Sequence, residues 1–144
     1  MNKARVIHVG SLPPTRCGVA EYTESLASAM ATAAPWLKPQ FLRLDLDSSA
    51  LAADRNKMTF NPNLLPHVEA ACETINSLDN AVVILQHEFK LYGGPDGENV
   101  CRFVERVRAP IITTLHTVRP EYPVARKKVI DALSKRSRVL IVFS

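Results

Sequence analysis

Ala81-Val82-Val83-Ile84-Leu85-Gln86-His87-Glu88-Phe89 and, further along, Ile111-Ile112-Thr113-Thr114-Leu115-His116-Thr117 decide how this chain folds. Each is a short apolar run that breaks abruptly into polar, histidine-bearing residues. Between them Val100, Phe103, Val104 and Val107 recur at helical spacing. Val/Ile-rich runs bounded by turn signals and separated by a helix are the mark of parallel strands buried on both faces. Ligands of open parallel sheets sit at the carboxyl ends of the strands. The breaks after Leu85 and Leu115 therefore mark a candidate binding cleft.

Working outward, Arg5 to Val9 reads as a first strand, followed by Gly10 and a loop through Pro13, Pro14, Arg16, Cys17 and Gly18. A helix begins near Val19, carries Val19, Tyr22, Leu26, Ala29, Met30 and Ala33 at helical spacing, and is stopped by Pro35. Phe41 to Asp45 is a second strand. An irregular stretch to Asn63 follows, within which Met58-Thr59-Phe60 reads as a short strand. Pro66 to Leu78 is a helix with proline in its first turn and Asp79-Asn80 at its exit. The Val82 to Gln86 strand comes next. A glycine-rich turn, Tyr92 to Gly97, leads to a helix from Glu98 to about Arg108, and Pro110 opens the Ile111 to Leu115 strand. A helix from Val124 to Ser137 and a fifth strand, Val139 to Phe143, complete the pattern.

This alternation predicts an α/β fold: a Rossmann-like parallel sheet with helices on both faces, as right-handed crossovers require. The chain ends at Ser144, directly after an apolar strand that lacks a covering helix. That ending predicts that residues 1–144 are one domain, truncated before a second.

The totals agree with a folded domain: 144 residues, 47% of them hydrophobic, with 5 glycines and 10 prolines. Three cysteines, Cys17, Cys72 and Cys101, are far apart and form no C-x-x-C pair, so neither a disulfide framework nor a zinc site is indicated, and a reducing compartment is expected. The basic start Met1-Asn2-Lys3-Ala4-Arg5 is followed too soon by His8 and Pro13-Pro14 for a signal peptide. No segment approaches the ~20 apolar residues of a spanning helix. The net charge of +4 is unevenly placed: Arg119, Arg126, Lys127, Lys128, Lys135, Arg136 and Arg138 crowd the last quarter. Such a run is either a solvated helix face or a surface for anions.

In the first loop, Arg16, Cys17 and Gly18 precede a helix whose amino end exposes unpaired N–H groups and favours anions. Gly18 would let a phosphate approach closely; the same residues also suit a plain tight turn. Neither G-x-G-x-x-G nor a P-loop is present. Glu21 and Tyr22 follow in the first helical turn, where Glu21 also complements the helix dipole. Gln86, His87 and Glu88 could hydrogen-bond sugar hydroxyls, or supply an acid or base, or form a satisfied polar corner. Gly93 and Gly94 permit close approach of a ligand or merely turn the chain. His116, flanked by Thr114 and Thr117, is expected at the mouth of the sheet, where it could bind a ligand or stabilise developing charge. His8 and His67 read as structural. No carboxylate pair or nucleophilic triad is evident, and Cys17 has no identifiable companion base.

Three segments together, Pro13 to Thr23 (PPTRCGVAEYT), Leu85 to Gly94 (LQHEFKLYGG) and Thr113 to Val118 (TTLHTV), resemble the amino-terminal domain of family-4 retaining glycosyltransferases of the GT-B architecture. The likeness runs along almost the whole chain and is weakest from Asp47 to Asn63. It implies the amino-terminal half of a GT-B fold, with an acceptor on this domain and a nucleotide-sugar donor mostly on a carboxyl-terminal domain. By resemblance, Arg16, Cys17 and Gly18 approach the donor diphosphate and His116 contacts the donor sugar at the reaction centre. Gln86, His87, Glu88, Glu21, Tyr22, Gly93, Gly94 and Thr117 line the substrate side. Many relatives carry Gly-Gly where this chain has Cys17-Gly18, which narrows the approach to phosphate. The family's paired glutamates belong to the second domain, so this fragment alone is expected to be inactive. No metal or other cofactor is expected, because helix dipoles and basic side chains neutralise the diphosphate. The resemblance further implies polysaccharide biosynthesis, a glycan or lipid-linked acceptor, no nucleic-acid partner, and a cytoplasmic location with contact to an anionic membrane through the basic quarter.

Two other classes compete. A stand-alone α/β binding or regulatory module would share the topology without chemistry. A nucleotide-dependent oxidoreductase is disfavoured by the missing glycine fingerprint.

Overall fold

A computed structural model describes residues 3–49, 51–54 and 57–143. The first strand, β1 (Arg5–Gly10), is buried along all but its first residue. Helix α1 (Gly18–Ala33) follows, and β2 (Pro39–Leu44) pairs parallel to β1 with Val6 opposite Pro39. Two short strands, β3 (Ala52–Asp54) and β4 (Lys57–Phe60), come next, then α2 (Leu65–Asn76). Strand β5 (Ala81–His87) leads through two single 3₁₀ turns into α3 (Asn99–Arg106). Strand β6 (Ile111–Leu115), α4 (Val124–Arg136) and β7 (Ser137–Val142) end the described chain.

The sheet order is β3-β4-β2-β1-β5-β6-β7. Every neighbouring pair is parallel except β3 with β4. The expected Rossmann-like parallel sheet is therefore present, six strands wide with an antiparallel edge. The stretch that read as irregular holds one strand more than expected: β3 pairs back on β4, with Ala52 opposite Thr59.

Strand alternation divides the residues of β1 and β5 between two faces. Ile7, Val9, Val83 and Leu85 form one continuous cluster with Val68, Ala71 and Ile75 of α2, Val100, Phe103 and Val104 of α3, and Val129 and Leu133 of α4. No residue of α1 belongs to that cluster. Helix α1 packs instead on the opposite face through Ala20, Thr23 and Ala27. Right-handed crossovers produce this division: the chain moves one way from β1 to β2, and the other way from β4 through β5 and β6 to β7. Truncating a fully enclosed member such as Phe103 to alanine costs about 3–5 kcal/mol in such a core.

Element ends follow local chemistry. Proline occupies the first turn of α2, where no N–H is needed. Asn80, with φ of 55°, turns the chain from α2 into β5. Helix α3 is shorter than its apolar spacing suggested, because Val107 has already become extended (φ −70°, ψ 128°) while still buried.

Candidate functional site at the carboxyl edge of the sheet

β1 and β5 are adjacent, yet the crossovers leaving them run in opposite directions. Such a switch point leaves a crevice outside the strand ends. On this protein the crevice is bordered by Gly10, the loop from Ser11 to Cys17, the amino end of α1, and the ends of β5 and β6.

Gly10 is needed for packing. A Cβ there would lie 3.0 Å from Gln86 Cβ and 3.2 Å from Thr23 Oγ1. The glycine lets the buried Gln86 side chain lie against the end of β1, and Thr23 is itself held by its hydroxyl donating to Val19 O at 2.7 Å. From that position Gln86 Oε1 lies 2.8 Å from His116 Nε2. A carboxamide oxygen only accepts, so Nε2 carries the proton and Nδ1 is the ring's acceptor. The His116 backbone N–H donates to His87 O at 3.0 Å, fixing the residue to β5 as well. Burial lowers the His116 pKa, with Glu88 opposing. Tyr22 from α1 meets the imidazole edge-on, with ring centroids 5.1 Å apart. Phe143 packs on both rings, with centroids 5.6 Å from each.

Glu88 is tied on both oxygens. Oε1 accepts from Phe89 N–H at 2.9 Å and Oε2 accepts from the Thr117 hydroxyl. This pair clamps the end of β5 to the end of β6 and leaves the carboxylate half-buried.

The first loop supplies the other wall. Cys17 is extended and gives α1 no side-chain cap; its Sγ lies 3.2 Å from Ser11 Oγ instead. The first N–H groups of a helix have no intrahelical acceptor. At Gly18 a Cβ would have nothing within 4 Å, so the helix start is open to solvent. Arg16 and Glu21 are exposed beside it.

Gln86, His116, Tyr22, Glu88 and Thr117 are thus gathered at one edge, next to Cys17 and Gly18. His87 is directed elsewhere. It is fully enclosed, edge-on to Phe89 at 4.8 Å and stacked with Tyr92 at 6.0 Å. Burial lowers its pKa to about 4. Strand alternation accounts for this: Gln86 faces the α1 side and its successor faces the core. Gly93 and Gly94 serve a turn. Both have positive φ (66° and 68°), and a Cβ on Gly93 would meet Asn63 Oδ1. Asn63 Oδ1 accepts from Gly94 N–H at 3.1 Å and from Asn99 Nδ2 at 3.0 Å. Tyr92, wholly buried, donates its hydroxyl to Gln86 O at 2.8 Å. His67 Nδ1 accepts from Asn61 N–H at 3.2 Å, and His8 stacks on Phe41 at 5.6 Å, both inside the fold.

Three contributors were not singled out from the sequence. In the sequence Gly10 reads as a loop start, Tyr92 as part of a glycine turn and Phe143 as the last apolar residue of a strand. A glycine ending the first strand of a parallel sheet is a usable sign of close approach. For Phe143 no local signal exists.

Two cations of the basic quarter are structural. Arg126 pairs with Asp96 at 2.7 Å and lies 4.8 Å above the Phe89 ring. Arg136 donates to Val104 O at 2.8 Å and to Val107 O. Among the described residues no group of three His, Cys, Asp or Glu side chains is placed to hold a metal ion. No described helix is long and apolar enough to cross a membrane.

Sheet order, crossover pattern and crevice define an α/β domain of the kind that makes up one half of a GT-B fold. A solved alpha-glucosyltransferase, in complex with UDP and a 13-mer DNA containing a central A:G mismatch, shares this architecture, with a TM-score of 0.65 and 10% sequence identity. The match covers 97% of this chain and 37% of that one. Identity at this level describes the fold. No family model and no curated protein sequence matches the chain.

Proposed function

We propose that the chain is the acceptor-side domain of a retaining glycosyltransferase of the family-4 kind, moving a sugar from a nucleotide-sugar donor to a glycan or lipid-linked acceptor. The observation that carries this reading is His116, locked by Gln86 at the switch-point crevice beside the uncapped start of α1. The arrangement suits such a donor. The helix start attracts the diphosphate, and a neutral imidazole whose tautomer is fixed accepts a hydrogen bond from a sugar hydroxyl at Nδ1. Tyr22 and Phe143 give the sugar an apolar wall. Glu88 and Thr117, bound to each other, hold the β5 and β6 ends at the right spacing.

On this reading a second α/β domain, which binds most of the donor, closes the cleft; the 37% coverage of the longer glucosyltransferase is consistent with that arrangement. The residues present supply acceptor binding, orientation of His116 and part of the diphosphate site, without a metal or other cofactor. The reaction runs in the cytoplasm, and exposed cations such as Lys127, Lys128, Lys135 and Arg138 meet an anionic membrane when the acceptor is lipid-linked.

Titrating UDP into isotopically labelled protein and following amide and imidazole resonances tests the donor site. The expected result is saturable shifts at Gly18, Val19 and His116, lost in His116→Ala for the ring and retained at Gly18. Shifts confined to other surfaces, or none at saturating UDP, would overturn the transferase reading and leave a binding module on the same topology.

A further inference from the structure

At the opposite, amino-terminal edge of the sheet lies a recess of about 620 Å³ that the proposed transferase site does not use. Its walls carry Lys3 and Arg5 at the start of β1, Lys38 and Gln40 around the start of β2, Trp36 from the α1–β2 connection, and Asp79. Trp36 is the chain's single tryptophan and is 59% exposed.

Three cations face one carboxylate here, and all three are exposed. Among the described residues the ion pairs are Arg43 with Asp45 and Arg126 with Asp96, so Lys3, Arg5 and Lys38 are not neutralised by a partner. Like charges brought together around a concavity raise the local anion concentration and repel one another until an anion arrives. No arginine or lysine among the described residues stacks on the largely exposed indole; the one cation–ring contact among them is Arg126 over Phe89. An indole on a flat approach is a platform for a planar ring, worth ~1–3 kcal/mol per stacked base in nucleic-acid sites. A bare phosphate would leave that platform unused, and an uncharged ring would leave the cations unmatched. The concave shape and the size, within the roughly 300–1,000 Å³ typical of small-molecule sites, favour a compact ligand over a flat lipid surface.

We propose that this recess binds a phosphate-bearing planar ring, the chemistry of a mononucleotide, with the ring on Trp36 and the phosphate among Lys3, Arg5 and Lys38. Gln40 offers its carboxamide to the ring edge, and Asp79 faces the ribose side, where hydroxyls can donate to it. The site is at the other end of the strands from His116 and is independent of the transferase reading.

Because Trp36 is the sole tryptophan, its fluorescence reports the site directly. The full chain is titrated with adenosine monophosphate, adenosine and inorganic phosphate, with excitation at the red edge of the indole band. Saturable quenching by the nucleotide is expected, with adenosine and phosphate each weaker by at least about tenfold. In Lys3→Ala/Lys38→Ala the nucleotide response should fall by a similar factor, and in His116→Ala it should be unchanged. Both altered lysines are exposed, and a far-ultraviolet dichroism spectrum equal to wild type verifies the fold. No quenching by the nucleotide, equal quenching by adenosine, or an undiminished response in the lysine variant would each overturn the proposal.

Discussion

Gly10 and Gln86 show how little room separates packing from chemistry at this crevice. Adding one methyl at Gly10 brings it to 3.0 Å from Gln86 Cβ, so Gly10→Ala must push Gln86, and with it the bond to His116. Overpacking of this sort costs about 1–3 kcal/mol. The variant is expected to be less stable by that amount in urea denaturation and to lose the UDP-induced shift at His116 while the Gly18 shift persists. Titration matters equally at this scale. His8 and His87 are both almost wholly enclosed, and burial lowers each pKa to about 4. Their neutral forms are the folded forms. Stability from this source is whole above the unfolded value near 6.5 and is lost as pH falls through that value toward about 4, because the unfolded chain binds the extra protons. Each histidine is expected to remove on the order of 3 kcal/mol across that window. Urea unfolding at several pH values checks this, and His87→Leu should flatten the slope by roughly half; an unchanged slope would mean that His87 is protonated without opening the core.

Edges decide the behaviour of whole elements. Strand β7 pairs with β6 on one side, and Val139, Leu140, Ile141 and Val142 are 37–53% exposed. Past Arg138 near its start, this strand shows only apolar side chains, and an exposed apolar edge strand is a template for pairing with another chain. The protein is therefore expected to associate with rising concentration in sedimentation velocity. Ile141→Lys should suppress that association with a change in stability of under about 1 kcal/mol, because the altered side chain is already partly solvated; persistence of the larger species would place the sticky surface elsewhere. The same element shows what the sequence made legible. β5, β6 and β7 are readable because each carries a continuous run of apolar or β-branched residues; burial between layers accounts for this in β5 and β6, whereas β7 keeps its apolar run on an exposed edge. α1 and α2 were readable through period and proline. The β3–β4 hairpin was only half readable: Ala52, Ala53 and Asp54 are poor strand formers whose pairing comes from the partner strand, a tertiary effect that local propensity does not carry. The gathering of His116, Gln86 and Glu88 at the strand ends is legible where polar residues interrupt hydrocarbon. The burial of His87 is not legible, because period-two alternation turns adjacent residues to opposite faces and the sequence does not say which of Gln86 and His87 faces the core.

Across the whole molecule, the two proposed ligand sites and the two weakest edges follow from one topology. β1 and β5 lie at the centre of the sheet, each paired on both sides, and the crevice opens between their ends. Helices α2, α3 and α4 cover one face as a packed layer, whereas α1 covers the other face alone. A parallel strand at the centre exchanges its amide hydrogens only when the sheet comes apart, while an edge opens locally at much lower free energy. Hydrogen exchange under native conditions should thus rank the strands by position. β1, β5 and β6 amides should exchange together at the global unfolding rate, and β3 and the outer amides of β7 at least about a hundredfold faster. UDP should slow exchange at the start of α1 and the ends of β5 and β6 without altering the start of β1 and the α1–β2 connection, where adenosine monophosphate should act instead. Protection of both regions by either ligand alone would mean that the two ends of the sheet are coupled through β1, since that strand runs from one site to the other.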